Sequence, residues 1–173
     1  MLNLYVHNEV IKKKNNYYIS LSRTPELIDN KLVFRKVHFT DKKKVVQYIK
    51  NATFFVDTIA FTLDLYVDRL RALSNIIEIK NNTWIRREFD SHLINALDEL
   101  SQIRKTVESK DFEFYLDKLR GSYLAISKML VILNKYLPIE SEIIFTSLQL
   151  QIEHVNYVLD NPYSILDPKF SRN

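Results

Sequence analysis

One short stretch of the sequence combines a fixed cation with a group that titrates near neutrality. In WIRREFDSHL, Arg87 is followed five residues later by His92. Arginine stays protonated, whereas histidine gains and loses a proton between about pH 5 and 8. Metal-free RNA cleavage needs both types: the 2′-hydroxyl attacks, a histidine transfers the proton, and a cation balances the charge that develops on phosphorus. We therefore take Arg87 and His92 as candidate catalytic residues.

The same stretch has a second interpretation. Glu88 and His92 are spaced i, i+4 and can form an ordinary surface pair, with Arg86 and Arg87 solvated. Five residues also rotate a side chain by about 140° around a helix, so Arg87 and His92 diverge within one chain. A homodimer in which two subunits share the site resolves that geometry. For catalysis, we expect His92 to line an exposed groove rather than to be buried in its own core.

A second group of candidate residues is basic and lies at the front of the chain. Residues 1–50 contain 11 of the 25 Lys and Arg residues but only 4 of the 21 Asp and Glu residues. Lysines that neutralise phosphates and aromatic rings that stack on bases are typical of nucleic-acid binding. The alternative is a solvated, lysine-rich surface that favours solubility. The predicted nucleic-acid contacts are Lys12, Lys13, Lys14, Arg35, Lys36, Lys43 and Lys44, with Tyr17, Tyr18 and Phe34 interleaved.

Two residue counts exclude several classes of enzyme. The 173 residues include one glycine and no cysteine. Walker A loops, dinucleotide-binding turns and nucleophile elbows need several glycines, so the nucleotide-binding folds that use them are excluded. The lack of cysteine excludes disulfides, thiol nucleophiles and cysteine-ligated metals. The histidines do not show the Glu-x-x-His spacing of metal-binding bundles either, and we predict no metal and no cofactor.

The elements that must position these residues divide the chain near residue 40. Apolar residues alternate with polar ones around residues 2–6, 17–21 and 33–39, which predicts a hairpin and a third strand. The turns between them carry Asn and Asp rather than Gly. We predict a basic antiparallel β appendage over residues 1–40.

Beyond Thr40 the apolar residues recur with the period of a helix. From Val45 to Ile77 the spacing alternates between four and three, and three further segments repeat it. The predicted fold class is mainly all-α: an antiparallel four-helix bundle, with a short C-terminal tail, over residues 41–173. The wide apolar faces also suit a homodimer. The predicted helices span residues 41–79, 84–109, 111–136 and 138–160.

The single glycine lies in the middle of the third predicted helix. Gly121 costs about 1 kcal/mol relative to alanine at such a position, so it needs a local reason. We predict that a neighbouring helix approaches closely at Gly121.

With its Arg87-x4-His92 motif, the helical region resembles the HEPN superfamily of all-helical bundles, whose ribonucleases carry an R-x4-6-H motif. The run ATFFVDTIAFTLDLYVDRL is similar to the first long helix of several such families. The resemblance implies an RNA-cleaving or RNA-binding protein of the toxin or defence type. It also implies metal-independent cleavage at composite sites of a homodimer.

The alternative to an RNA-cleaving protein is a non-catalytic interaction module. Its helical face or its β appendage then binds a protein or a nucleic acid as an accessory factor. The longest charge-free stretches fall short of the roughly 18 apolar residues that a membrane span requires. The N-terminus also lacks the order of charged and apolar residues found in secretory signals. We therefore expect a cytoplasmic protein without a membrane segment.

Overall fold

The computed structural model describes residues 10–14, 16–20, 26–33, 36–104 and 112–167. The predicted class, mainly helical with a small antiparallel β part near the N-terminus, is confirmed. The strands are β1 (Val10–Lys13), β2 (Asn16–Ser20), β3 (Glu26–Ile28), β4 (Lys31–Val33) and β5 (Lys36–Phe39). The helices are α1 (Lys42–Leu73), α2 (Ile77–Lys80), α3 (Thr83–Arg104), α4 (Phe112–Asn134) and α5 (Pro138–Asp160), followed by a 3-10 helix (Pro162–Leu166).

The strands form two separate antiparallel sheets. One has the order β1-β2-β5, and the other is the hairpin β3-β4. The single strand predicted around residues 33–39 is therefore wrong, because its first part belongs to β4 and its second part to β5. Asp29 and Asn30 both have positive φ, of 49° and 59°. That conformation closes a two-residue turn and directs Lys31–Val33 back onto β3. The strand predicted near residues 2–6 lies outside the described residues.

The chain forms two compact units, and α1, α4 and α5 each contribute to both. Among the described residues, the first unit contains the strands, α1 as far as Thr58, α4 as far as Asp117, α5 from Tyr157 and the 3-10 helix. The second unit contains the rest of these three helices together with α2 and α3.

In the first unit, one face of the three-stranded sheet is buried. Ile19 and Val37 are fully buried, and the Phe39 ring lies 5.4 Å from the buried Tyr48 ring. Burial raises the pKa of the Tyr48 phenol far above its ordinary value, with a smaller contribution from Tyr163, so Tyr48 stays neutral. The helix α1 begins directly after β5, where the Asp41 carboxylate caps it by accepting a 2.8 Å hydrogen bond from the Lys43 N–H.

The 3-10 helix is fastened to the same unit by polar contacts. The Asn51 side chain is 2% exposed and donates a 2.7 Å hydrogen bond to the Ile165 carbonyl. Its oxygen accepts a 2.6 Å bond from the Gln47 amide. On the sheet side, the His38 N–H donates to the Tyr163 hydroxyl at 2.9 Å. These bonds join the end of the described chain to α1 and β5.

Replacing Asn51 with leucine tests how much these hydrogen bonds stabilise the protein. The change leaves the Ile165 carbonyl buried without its donor, and we expect the free energy of unfolding to fall by about 1–3 kcal/mol. Asn156→Leu, at an exposed position on α5, is the control and should change it by less than about 0.5 kcal/mol. Urea titration followed by circular dichroism measures both. Equal midpoints for the two variants would mean that the Asn51 bonds contribute nothing.

The second unit buries the apolar seams that the spacing predicts. The seam of each long helix supplies fully buried side chains, for example Leu63, Leu100, Ile126 and Leu148. Across the unit, the Tyr66 hydroxyl on α1 is hydrogen-bonded to the Ser147 hydroxyl on α5. Within the described residues, none of the helices is both long and apolar enough to cross a membrane.

The first long helix ends earlier than residue 79, its predicted end. It stops at Leu73, where the buried Ser74 hydroxyl donates to the Arg71 carbonyl at 2.7 Å and competes with the helical backbone bonds. Arg86 from α3 donates to the Ser74 hydroxyl at 3.1 Å and holds the break in place. Ile77, predicted as a seam residue, is consequently 72% exposed, and Ile79 is buried instead.

Candidate functional site

The first candidate site is a groove beside His92, between α3 and α4 in the second unit. It encloses about 220 Å³, and we call it the His92 groove. His92 is half-buried, and its Nδ1 atom is buried without a hydrogen-bond partner among the described residues. The histidine thus lies beside an accessible groove rather than inside the core. The groove is lined by His92, Asn95, Asp98, Glu99, Gly121, Leu124, Ala125 and Lys128.

Arg87 is exposed on α3 and does not line the His92 groove. Its neighbour Arg86 is the arginine that forms an ion pair, with its Nη2 atom 2.9 Å from Asp90 Oδ1, and it also contacts the α1 break. Glu88 is exposed and forms no ion pair with His92 within the described part of the chain. Arg87 and His92 of the same chain are therefore not brought together. The rotation of about 140° between their side chains predicts this separation.

The His92 groove contains acceptor groups that the sequence did not single out. Glu99 Oε2 lies 3.1 Å from the Lys118 ammonium, and Asp98 Oδ2 accepts a 3.1 Å bond from Gln102. Lys128 is exposed at the groove. The groove thus combines two carboxylates with the Lys128 ammonium, and the Lys118 ammonium pairs with one of the carboxylates. The carboxylate oxygens that accept no bond within the described residues suit a ligand with N–H donors.

Gly121 allows the Glu99 carboxylate to lie against α4. A Cβ atom at Gly121 would be 3.0 Å from Glu99 Cδ and 3.2 Å from each carboxylate oxygen, so the carboxylate would have to shift slightly. A close contact therefore exists at this glycine, but it comes from the Glu99 side chain, and the approach of a whole neighbouring helix stays a prediction. The candidate residue His92 and the lone glycine inside a helix were the two sequence signals that pointed to this groove.

The second candidate site is the face of the three-stranded sheet opposite the core. We call it the outward sheet face; its members alternate with the buried residues. The Tyr18 and His38 rings stack there, with centroids 4.9 Å apart and planes inclined by 28°. His38 is exposed, and its Nε2 atom is hydrogen-bonded to Asn16 Oδ1 at 2.9 Å. Among the residues whose side chains the structure describes, the face comprises Lys13, Asn16, Tyr18, Lys36 and His38.

Most of the predicted basic residues lie on this face or at one end of the sheet. Lys13 and Lys36 belong to it, and Lys14 forms the β1–β2 turn with a φ of 54°. Lys43 and Lys44 are exposed in the first turn of α1. Pairing of Tyr17 with Phe39 places the β1–β2 turn and the start of α1 at the same end of the sheet.

Two further predicted basic residues, Lys12 and Arg35, do not belong to this group. Lys12 belongs to the opposite face, where its Nζ lies 5.8 Å from the centre of the Tyr17 ring. Arg35 and Phe34 are outside the described residues.

The hairpin β3-β4 exposes apolar side chains. Leu27 and Leu32 are 69% and 70% exposed, and Ile28 and Val33 are about half exposed. A two-stranded hairpin cannot bury both of its own faces. This is a third surface with the composition of a contact region.

Comparisons with family models, curated proteins and solved structures find no match to this chain. Within the described residues, no three His, Asp or Glu side chains are grouped as a metal ion would require. The function must therefore be inferred from the two candidate sites and their chemistry.

Proposed function

We propose that the protein binds single-stranded RNA on the outward sheet face. The observation that supports this proposal is the stacked Tyr18–His38 pair on a sheet, in which His38 is exposed, Tyr18 is half-buried and lysines flank both. Aromatic rings on a sheet surface offer a stacking platform to unpaired bases, whereas bases inside a duplex are already stacked. RNA with unpaired bases is abundant in the cytoplasm, and we propose that the protein is located there.

The lysines supply the contacts to the backbone. Lys13 and Lys14 at one end of the sheet, with Lys43 and Lys44 in the first turn of α1, form one basic end, and Lys36 lies further along β5. No acidic residue occupies the first turn of α1, and Asp41 is its cap. The Asp41 carboxylate already accepts a hydrogen bond from the Lys43 N–H, so the contacts to phosphate at this end come from the lysine side chains. The strand would run across the aromatic pair towards this end.

Removal of the lysine charges tests the phosphate contacts. For Lys13→Gln/Lys14→Gln we expect weaker binding of a fluorescent oligouridine and a flatter dependence of log affinity on log salt, by about 0.7 per lost contact. Lys80→Gln, in the second unit, is the control and should leave the salt dependence unchanged. Fluorescence anisotropy from low to moderate salt measures the slopes. Equal slopes for all three proteins would contradict phosphate binding at this end of the sheet.

A second candidate function is metal-independent RNA cleavage at His92. It is favoured by the position of His92 in an accessible groove, with an Nδ1 atom that no described residue engages. In this proposal the protein is a HEPN-like ribonuclease of the toxin or defence type, and Arg87 is supplied by the second subunit of a homodimer. The histidine moves the proton, and the arginine balances the charge on the phosphate.

The interaction module remains the alternative, and the exposed hairpin β3-β4 is its support. A protein partner would cover Leu27 and Leu32 and remove them from water. The oligouridine titration separates the two proposals: wild-type protein that binds no RNA even at low salt would favour the protein partner.

A further inference from the structure

We propose that the His92 groove binds a guanine base. The inference rests on the proposed RNA function for the source of the base, but it depends on a different surface in the other unit. Within the described part of the chain, two carboxylate oxygens at the groove have no partner. Asp98 uses Oδ2 and Glu99 uses Oε2, which leaves Oδ1 and Oε1 available.

The two free oxygens, on the consecutive residues Asp98 and Glu99, favour a ligand with more than one N–H donor. An ionised carboxylate only accepts hydrogen bonds. Guanine presents two neighbouring donors, N1–H and the N2 amino group, on its pairing edge. Adenine and cytosine place an acceptor nitrogen beside their amino group, and uracil places its single N–H between two carbonyls. Guanine is therefore the one standard base whose pairing edge matches two acceptors.

The groove also matches the acceptor side of guanine. Lys128 is exposed at the groove, and Asn95 carries an amide with two donors. Either group can donate to O6 or N7, the contact that lysine makes with guanine in nucleic-acid complexes.

The size of the groove and its apolar wall suit one flat ring system. Its 220 Å³ lie below the roughly 300–1,000 Å³ of pockets for drug-sized ligands. Leu124 is exposed at the groove and provides an apolar wall. Gly121 leaves room on α4 for the Glu99 carboxylate at the groove.

Isothermal titration calorimetry of the full chain with mononucleotides tests the inference. We expect GMP to bind, and IMP, which lacks the N2 amino group, to bind at least fivefold more weakly. AMP and UMP should bind as weakly as IMP or less tightly. Equal affinities for GMP and IMP, or no binding of GMP, would overturn the assignment.

Two variants locate the site. Gly121→Ala places a methyl group where the Glu99 carboxylate lies, and Glu99→Gln replaces a carboxylate acceptor with an amide; each should weaken GMP binding at least fivefold. Alanine favours a helix, so the melting temperature of Gly121→Ala should be unchanged or higher, which separates lost binding from lost folding. Glu142→Gln, exposed on α5, is the control. Wild-type affinity in both groove variants would place GMP elsewhere and overturn the inference.

The oligouridine titration separates a failure of this inference from a failure of the proposed function. Binding of oligouridine without binding of GMP refutes the groove assignment and leaves RNA binding by the sheet intact. Binding of GMP without binding of oligouridine supports the groove assignment and refutes the sheet proposal.

Discussion

Replacing Tyr18 and His38 together with alanine is expected to weaken the binding of single-stranded RNA at least tenfold. The two rings form the stacked pair on the outward sheet face, and a base stacked on an aromatic side chain contributes about 1–3 kcal/mol. The slope of log affinity against log salt should stay the same, because the lysines that contact phosphate remain. Fluorescence anisotropy with oligouridine at several salt concentrations measures both quantities.

The matched control for this variant is Phe145→Ala/His154→Ala. It also removes one aromatic ring and one histidine, but at exposed positions on α5 in the second unit. Circular dichroism establishes that both proteins remain folded. If the two double variants bind RNA equally, the Tyr18–His38 pair is not the stacking platform.

Replacing His92 with alanine is expected to reduce RNA cleavage by about 10²- to 10⁴-fold in buffer containing EDTA. This range is the usual effect of removing a group that transfers a proton. His154→Ala is the matched control, because it removes an exposed histidine from α5 and should cleave like wild type. The assay follows a radiolabelled RNA and records its fragments. Undiminished cleavage by His92→Ala would remove His92 from the active site.

The role of the homodimer in cleavage can be tested by mixing two inactive variants. Arg87→Gln retains His92, and His92→Ala retains Arg87. If each site takes one residue from each subunit, a mixed dimer has one intact site, and an equal mixture should recover about a quarter of the wild-type activity. A mixture as inactive as its components would contradict a shared site.

The sequence predicted the long helices well because their apolar seams are regular. The fourth predicted helix, 138–160, coincides with α5, since Pro138 fixes its start and Pro162 follows its end. The first helix was predicted too long because the apolar spacing continues to Ile77. Its actual end depends on Ser74 and on Arg86, twelve residues later. A contact between two elements cannot be read from the period of one of them.

The candidate sites were predictable only in part, for a related reason. The alternation along β2 places Tyr18 opposite the buried face, but its stacking partner His38 follows from the register of two strands that are distant in sequence. The Arg-x4-His motif located His92 but not the neighbouring acceptors. Asp98 and Glu99 resemble any solvated acidic pair until α4 and Gly121 are placed beside them.

An NMR titration with single-stranded RNA tests the proposed binding face most directly. Oligouridine is added to the labelled full chain, and the ring resonances of Tyr18 and His38 are followed, with those of His154 as the internal reference. We expect progressive upfield shifts of the Tyr18 and His38 ring protons, because a stacked base shields them, and no shift at His154. Unchanged Tyr18 and His38 resonances at saturating RNA would rule out this face as the binding site.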